Sequence, residues 1–151
     1  MTKKSLKLIS MFTLLMAAAV AQAEVRVSDA WVRATVAQQM ATGAFMRITS
    51  SKDVRLVSVR TSAAGVAEIH EMKMDNNIMK MREIAFLALP AGKTVELTPG
   101  GFHLMLMDLK AQIKEGDSIP LTLIVEDKDK KRETIDIVVK ARALNSNRGK
   151  M

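Results

Sequence analysis

The sequence predicts an all-β fold, a single-domain sandwich of short strands. Apolar or alternating runs recur about every ten residues, the spacing of sandwiches and barrels. Clusters of Gly, Pro, Asn, Asp and Ser separate nearly every pair of runs. A chain of 151 residues is enough for one such domain and not comfortably for two.

The predicted strands, in order, are Glu24–Val27, Ala30–Ala34, Ala44–Thr49, Arg55–Thr61 and Ala67–Met74. Ile78–Ile84, Thr94–Leu97, Phe102–Met107, Leu121–Glu126 and Glu133–Val139 follow. Their turns are Ser50-Ser51-Lys52-Asp53, Asp75-Asn76-Asn77, Pro90-Ala91-Gly92-Lys93, Pro99-Gly100-Gly101 and Glu115-Gly116-Asp117. Thr61–Ala67 is too short, and too broken by Gly65, to make a good helix. The basic run Lys128, Lys130, Lys131 and Arg132 is interrupted by Asp127 and Asp129 and reads as a solvated turn.

The ends read differently. Lys3, Lys4 and Lys7 precede an apolar run from Leu8 to Val20, and Ala21-Gln22-Ala23 supplies the small residues of a cleavage site. The run is shorter than the roughly 20 residues of a spanning helix, which favours a cleaved signal peptide over a retained anchor. The expected organisation is a signal peptide over 1–23, a domain over 24–143 and a flexible polar tail over 144–151. Export to the periplasm follows, with no membrane span after cleavage. With no cysteine near the site, a lipid-attached start is not expected. Loss of the leader's three lysines lowers the formal charge from +7 to +4, too mild for a nucleic-acid-binding stripe.

The absence of cysteine excludes disulfides, thiol exchange, cysteine nucleophiles and thiolate metal sites. No triad, general-base pair or phosphate loop is visible, so no enzyme is expected. Methionine is the opposite case, with 12 in the chain, of which only Met1, Met11 and Met16 lie in the leader.

If Asn76-Asn77 forms a two-residue turn, the flanking strands pair in one register. Met74 then faces Met79, Met72 faces Met81 and His70 faces Glu83. His70, Met72, Met74, Met79 and Met81 share one face, with His70 a diagonal step from Met81. His103, Met105 and Met107 likewise share the face of one strand. These are the chain's two histidines, and both stand beside methionines. Imidazole with thioether suits a soft cation, copper(I) above all. Met72, Met74, Met79 and Met107 read as packing of the core or its rim, the usual use of methionine.

The spacing His70, ten residues, Met81, twenty-one residues, His103, one residue, Met105 resembles the metal motif of the periplasmic copper chaperones known as PCuAC. Flanking segments resemble that family too: Asp29-Ala30-Trp31-Val32-Arg33, Glu68-Ile69-His70-Glu71-Met72, Met79-Lys80-Met81-Arg82-Glu83, Leu89 to Leu97, and Pro99 to Met107. The resemblance covers about residues 28 to 125. It implies a cupredoxin-like Greek-key β-sandwich holding one copper(I) per chain through His70, Met81, His103 and Met105. It further implies delivery of copper towards the copper centres of cytochrome c oxidase, with an oxidase subunit or its assembly factor as the expected recipient; the chain itself is expected to be a monomer. The tail lacks the His/Met-rich run of some members, so a second, tail-borne copper(II) site is not expected. Copper buffering or tolerance without a dedicated recipient is the alternative function. A blue-copper electron carrier would need a cysteine thiolate.

Overall fold

The computed structural model describes residues 23–143 and Asn145. The expected leader, apart from Ala23, and the expected tail, apart from Asn145, lie outside the described residues. Ten strands form: β1 (Val25–Arg33), β2 (Ala41–Ser50), β3 (Val54–Arg60), β4 (Ala64–Asp75) and β5 (Ile78–Glu83), then β6 (Leu87–Leu89), β7 (Thr94–Leu97), β8 (His103–Leu109), β9 (Ser118–Asp127) and β10 (Arg132–Arg142). No helix occurs among the described residues. The fold is therefore all-β, as the turn spacing predicts, and a sandwich, as the resemblance implies.

The strands join in one hydrogen-bonded path, β5-β4-β8-β2-β1-β10-β9-β3-β6, with β7 added to β2. β1 runs parallel to β10, and the other pairings of named strands are antiparallel. Curled on itself, the path encloses a core centred on Met46, Ile48, Leu56, Leu89, Leu104, Leu106, Leu121 and Leu123. Burial of such aliphatic side chains supplies about 1.5–3 kcal/mol each, which lets the fold stand without disulfides.

Two predicted runs, Glu24–Val27 and Ala30–Ala34, are one strand. The β1–β2 register shifts between Ser28 and Trp31, where Asp29 takes φ +50°. The extra residue switches the strand's faces. Val25 and Val27 pack towards the core before it and Val32 after it, so Trp31 and Arg33 point to the outer surface. β6 was not foreseen.

The β4–β5 hairpin has the expected register: His70 faces Glu83, Met72 faces Met81, and Met74 faces Met79. Asn76 and Asn77 take φ +49° and +61°, the left-handed pair a two-residue turn requires. On the other face Arg82 Nε donates to Glu71 Oε1 at 2.6 Å, and Lys80 turns from Lys73 to Asp75 at 2.7 Å. The basic run is a turn as expected, with Asp127 Oδ1 accepting from the N–H of Asp129 and Lys131.

Candidate metal centre

The site lies on the outer face of the sheet, behind the core. Along β8, Leu104 and Leu106 enter the core, so alternation sends His103 and Met105 outward. Along β2, Ala44 and Met46 are core, so Gly43 and Phe45 face out beside them. Along β4, Ile69 is core, and Glu68, His70 and Met72 face out.

Register then brings the two histidines together. His70 pairs directly with His103, and their rings meet edge to face with centroids 5.7 Å apart. Both are buried although on an outer face. Each ring commits one nitrogen to a fixed acceptor. His103 Nδ1–H donates to Gly101 O at 3.1 Å, a carbonyl that can only accept, and this assigns the tautomer. Its Nε2 lone pair then faces Met81 Sδ at 3.1 Å. His70 Nε2–H donates to Glu68 Oε2 at 2.7 Å, leaving Nδ1 buried with no partner. An unpaired buried acceptor costs about 1–3 kcal/mol, which a bound cation would offset. Metal-binding histidines generally tie down their second nitrogen in this way.

Met81, His103 and Met105 line one cleft of about 230 Å³, together with Met72, Phe45, Arg33 and Pro99. His70 adjoins this cleft through His103 and is not part of its wall. Met105 is flanked by Gly43 on β2 and Glu68 on β4. Phe45 lies back over Gly43, where a Cβ would come within 2.6 Å of its ring, so only glycine leaves room. The Phe45 ring packs on Trp31 with centroids 4.6 Å apart, and the Arg33 guanidinium sits 5.4 Å from it. Burial holds the His103 imidazole below its ordinary 6.5, against the pull of the Gly101 carbonyl, with His70 and Arg33 adding to the depression.

The donor set is soft and neutral. No group of three or more His, Cys, Asp or Glu able to hold a metal occurs among the described residues, so a hard or thiolate-type site is unsupported. Of the methionines read as packing, Met72 lines the cleft, Met107 is half-buried elsewhere on the same strand face, and Met74 and Met79 are exposed on the surface. Sequence reading missed the role of Glu68, although its place two residues before His70 puts it on the same strand face. The Trp31–Phe45–Arg33 wall was also missed.

The LpqE-like family model matches residues 25–139. A protein of Leifsonia xyli subsp. xyli carried under a lipoprotein name is 38% identical over 104 residues, 68% of this chain and 63% of its own length. The chain thus spans less than two thirds of that relative. An uncharacterized protein of Rickettsia prowazekii is 28% identical over 133 residues, 84% of this chain and 70% of its own. Among solved structures, CuI-DR1885 from Deinococcus radiodurans superposes with TM-score 0.59 at 26% identity, covering 77% of this chain and 76% of that one. The copper-bound PCuAC domain from PmoF2 gives TM-score 0.59 at 21% identity, covering 78% and 93%. The PmoF2 domain has the PCuAC fold that the sequence resemblance implied. The chain belongs to the LpqE-like family and folds as a cupredoxin-like β-sandwich.

Proposed function

We propose that the protein is an exported copper(I) chaperone. It carries one ion through His70 Nδ1, His103 Nε2 and the thioethers of Met81 and Met105. The observation that carries this reading is the pair of histidines whose N–H groups are already committed, one of whose free nitrogens faces a methionine sulfur at 3.1 Å. Neutral ligands leave the ion its charge, and thioethers carry no proton, which suits a compartment where thiolates oxidise. The copper bound by the solved neighbours and the lipoprotein names of the family and of the Leifsonia relative support copper cargo and export.

Delivery fits the geometry better than buffering. Met81 is 48% exposed on an edge strand, so an incoming ligand can displace it while the buried histidines still hold the ion. The recipient in this reading is a copper-accepting protein of cytochrome c oxidase assembly, and the role is one of binding and transfer without catalysis.

Anaerobic titration against a calibrated copper(I) chelator is expected to give one tightly held ion per chain and far weaker zinc binding. Zinc held with comparable strength sinks the soft site. Copper-loaded protein should also pass its ion to the apo copper domain of an oxidase subunit faster than to a chelator of equal affinity. Equal rates favour buffering.

Affinity is also expected to depend on pH with a definite sign. Protons compete with copper for the His103 imidazole but not for thioethers. Because His103 is held below 6.5, its competition sets in below that pH, and affinity falls by up to about tenfold per pH unit there. A titration series from pH 7.5 to pH 4 checks this, and an affinity loss already complete above pH 6.5 contradicts His103 as the competing group.

A further inference from the structure

The β4–β8 ladder ends at the His70–His103 pair, yet β4 runs on to Asp75. Beyond that pair one backbone hydrogen bond, Met72 N–H to Gly101 O at 3.2 Å, still ties β4 to the β8 side, and β4 and β5 go on as a two-stranded arm with a methionine face. Outward of His70 and Glu83, that face holds only Met72 with Met81, then Met74 with Met79. The two-residue turn makes Asp75 and Ile78 the hydrogen-bonded pair that closes the hairpin. Alternation then puts both methionine pairs in the non-hydrogen-bonded positions, where facing side chains come closest.

Packing does not explain the outer pair. Met46 alone among the described methionines belongs to the core, whereas Met74 is 57% and Met79 46% exposed. Strand propensity does not explain it either, since β-branched and aromatic residues are the ones favoured there. What a methionine offers at a wet surface position is its thioether. The arm's carboxylates Glu71 and Asp75 lie on the opposite face and are tied to Arg82 and Lys80, and the methionine face carries a carboxylate only at its inner end, Glu83 opposite His70. Register is set by the Asn76-Asn77 turn, with those ion pairs on the opposite face, so Met74 and Met79 are not needed to define the pairing.

We propose that Met74 and Met79 form a second, weaker site for a soft monovalent ion, an outer station from which copper(I) reaches Met72 and Met81 and then the histidines. Two thioethers on neighbouring strands can close on one ion from opposite sides. The next pair inward repeats the arrangement, and Met81 touches His103 at 3.1 Å. Three sets of donors thus run in sequence from the tip to the buried end. The outer station has no imidazole and holds its ion less firmly, so copper moves inward. This rests on the soft-metal reading of the central site.

The test uses silver(I), a redox-stable analogue of copper(I), titrated into protein carrying 13C-methyl methionine, with resonances assigned by single Met-to-Leu variants. The first equivalent is expected to shift Met81 and Met105, and the second to shift Met74 and Met79. In Met74→Leu/Met79→Leu the second step is lost and the first remains. Met74 and Met79 methyls that stay unmoved through several equivalents overturn the outer station, and shifts at Met81 and Met105 would still support the central one. Arm shifts without any at Met81 or Met105 support the outer station and sink the central reading. Broadening of Met74 and Met79 that grows with protein concentration without silver identifies a self-association surface, and that also overturns the proposal.

Discussion

Replacing His103 with Asn is expected to lower copper(I) affinity by more than about 100-fold. Loss of a group that only orients a ligand costs about 10–100-fold, and His103 is more central than that. Its Nε2 faces Met81 Sδ, and its ring abuts both His70 and Phe45. Met81→Leu and Met105→Leu are expected to weaken binding while changing apo stability by less than about 1.5 kcal/mol, since Leu and Met are near in volume. Met72→Leu, in the same cleft, is expected to cost less. Competition titrations on the four variants, with urea melts of the apo forms, decide it. If Met72→Leu damages binding as much as Met81→Leu, the thioether has been assigned to the wrong strand of the hairpin.

Leu104→Ala is expected to destabilise the apo protein by about 2–5 kcal/mol, the range for truncating a fully buried leucine. Leu104 is 0% exposed and stands between His103 and Met105, with its side chain in the core while theirs face out. The same strand therefore anchors the sandwich on one face and holds two proposed ligands on the other. Copper at about 100 times its dissociation constant should restore roughly 2.7 kcal/mol by mass action, because only the folded chain assembles the site. Urea unfolding with and without copper(I) measures both terms. A loss under about 1 kcal/mol would mean that Leu104 is not a core residue in solution.

Much of this was legible in the sequence because a strand reveals its own faces. The Asn76-Asn77 turn fixes the hairpin register, so every cross-strand pair from His70–Glu83 to Asp75–Ile78 follows by counting. What the sequence does not contain is which face meets the core. His103 and Met105 share a side on period-two grounds alone, but only the inward packing of Leu104 and Leu106 sets that side outward. The pairing of His70 with His103 spans 32 intervening residues and depends on how β4 meets β8. Strand β6 has three residues, too few for alternation to register. The bulge at Asp29 leaves no mark in the pattern beyond an apparent break between two strands.

The arm has one more consequence. Two-stranded ribbons without further neighbours are marginal in water, and beyond the His70–His103 pair this one is tied to the β8 side only by the backbone hydrogen bond from Met72 N–H to Gly101 O at 3.2 Å. Such a ribbon is expected to open locally at far lower cost than global unfolding. Met81 rides on that excursion, whereas His103 and Met105 stand on β8 between β2 and β4 and stay assembled when the ribbon detaches. With the proposed ligands, the lifetime of a bound ion would then be set by the opening rate of a few residues and not by the stability of the sandwich. Substitutions at the Asn76-Asn77 turn would change how long the cargo is kept, and substitutions in the core would change how long the protein survives, with little crosstalk between the two.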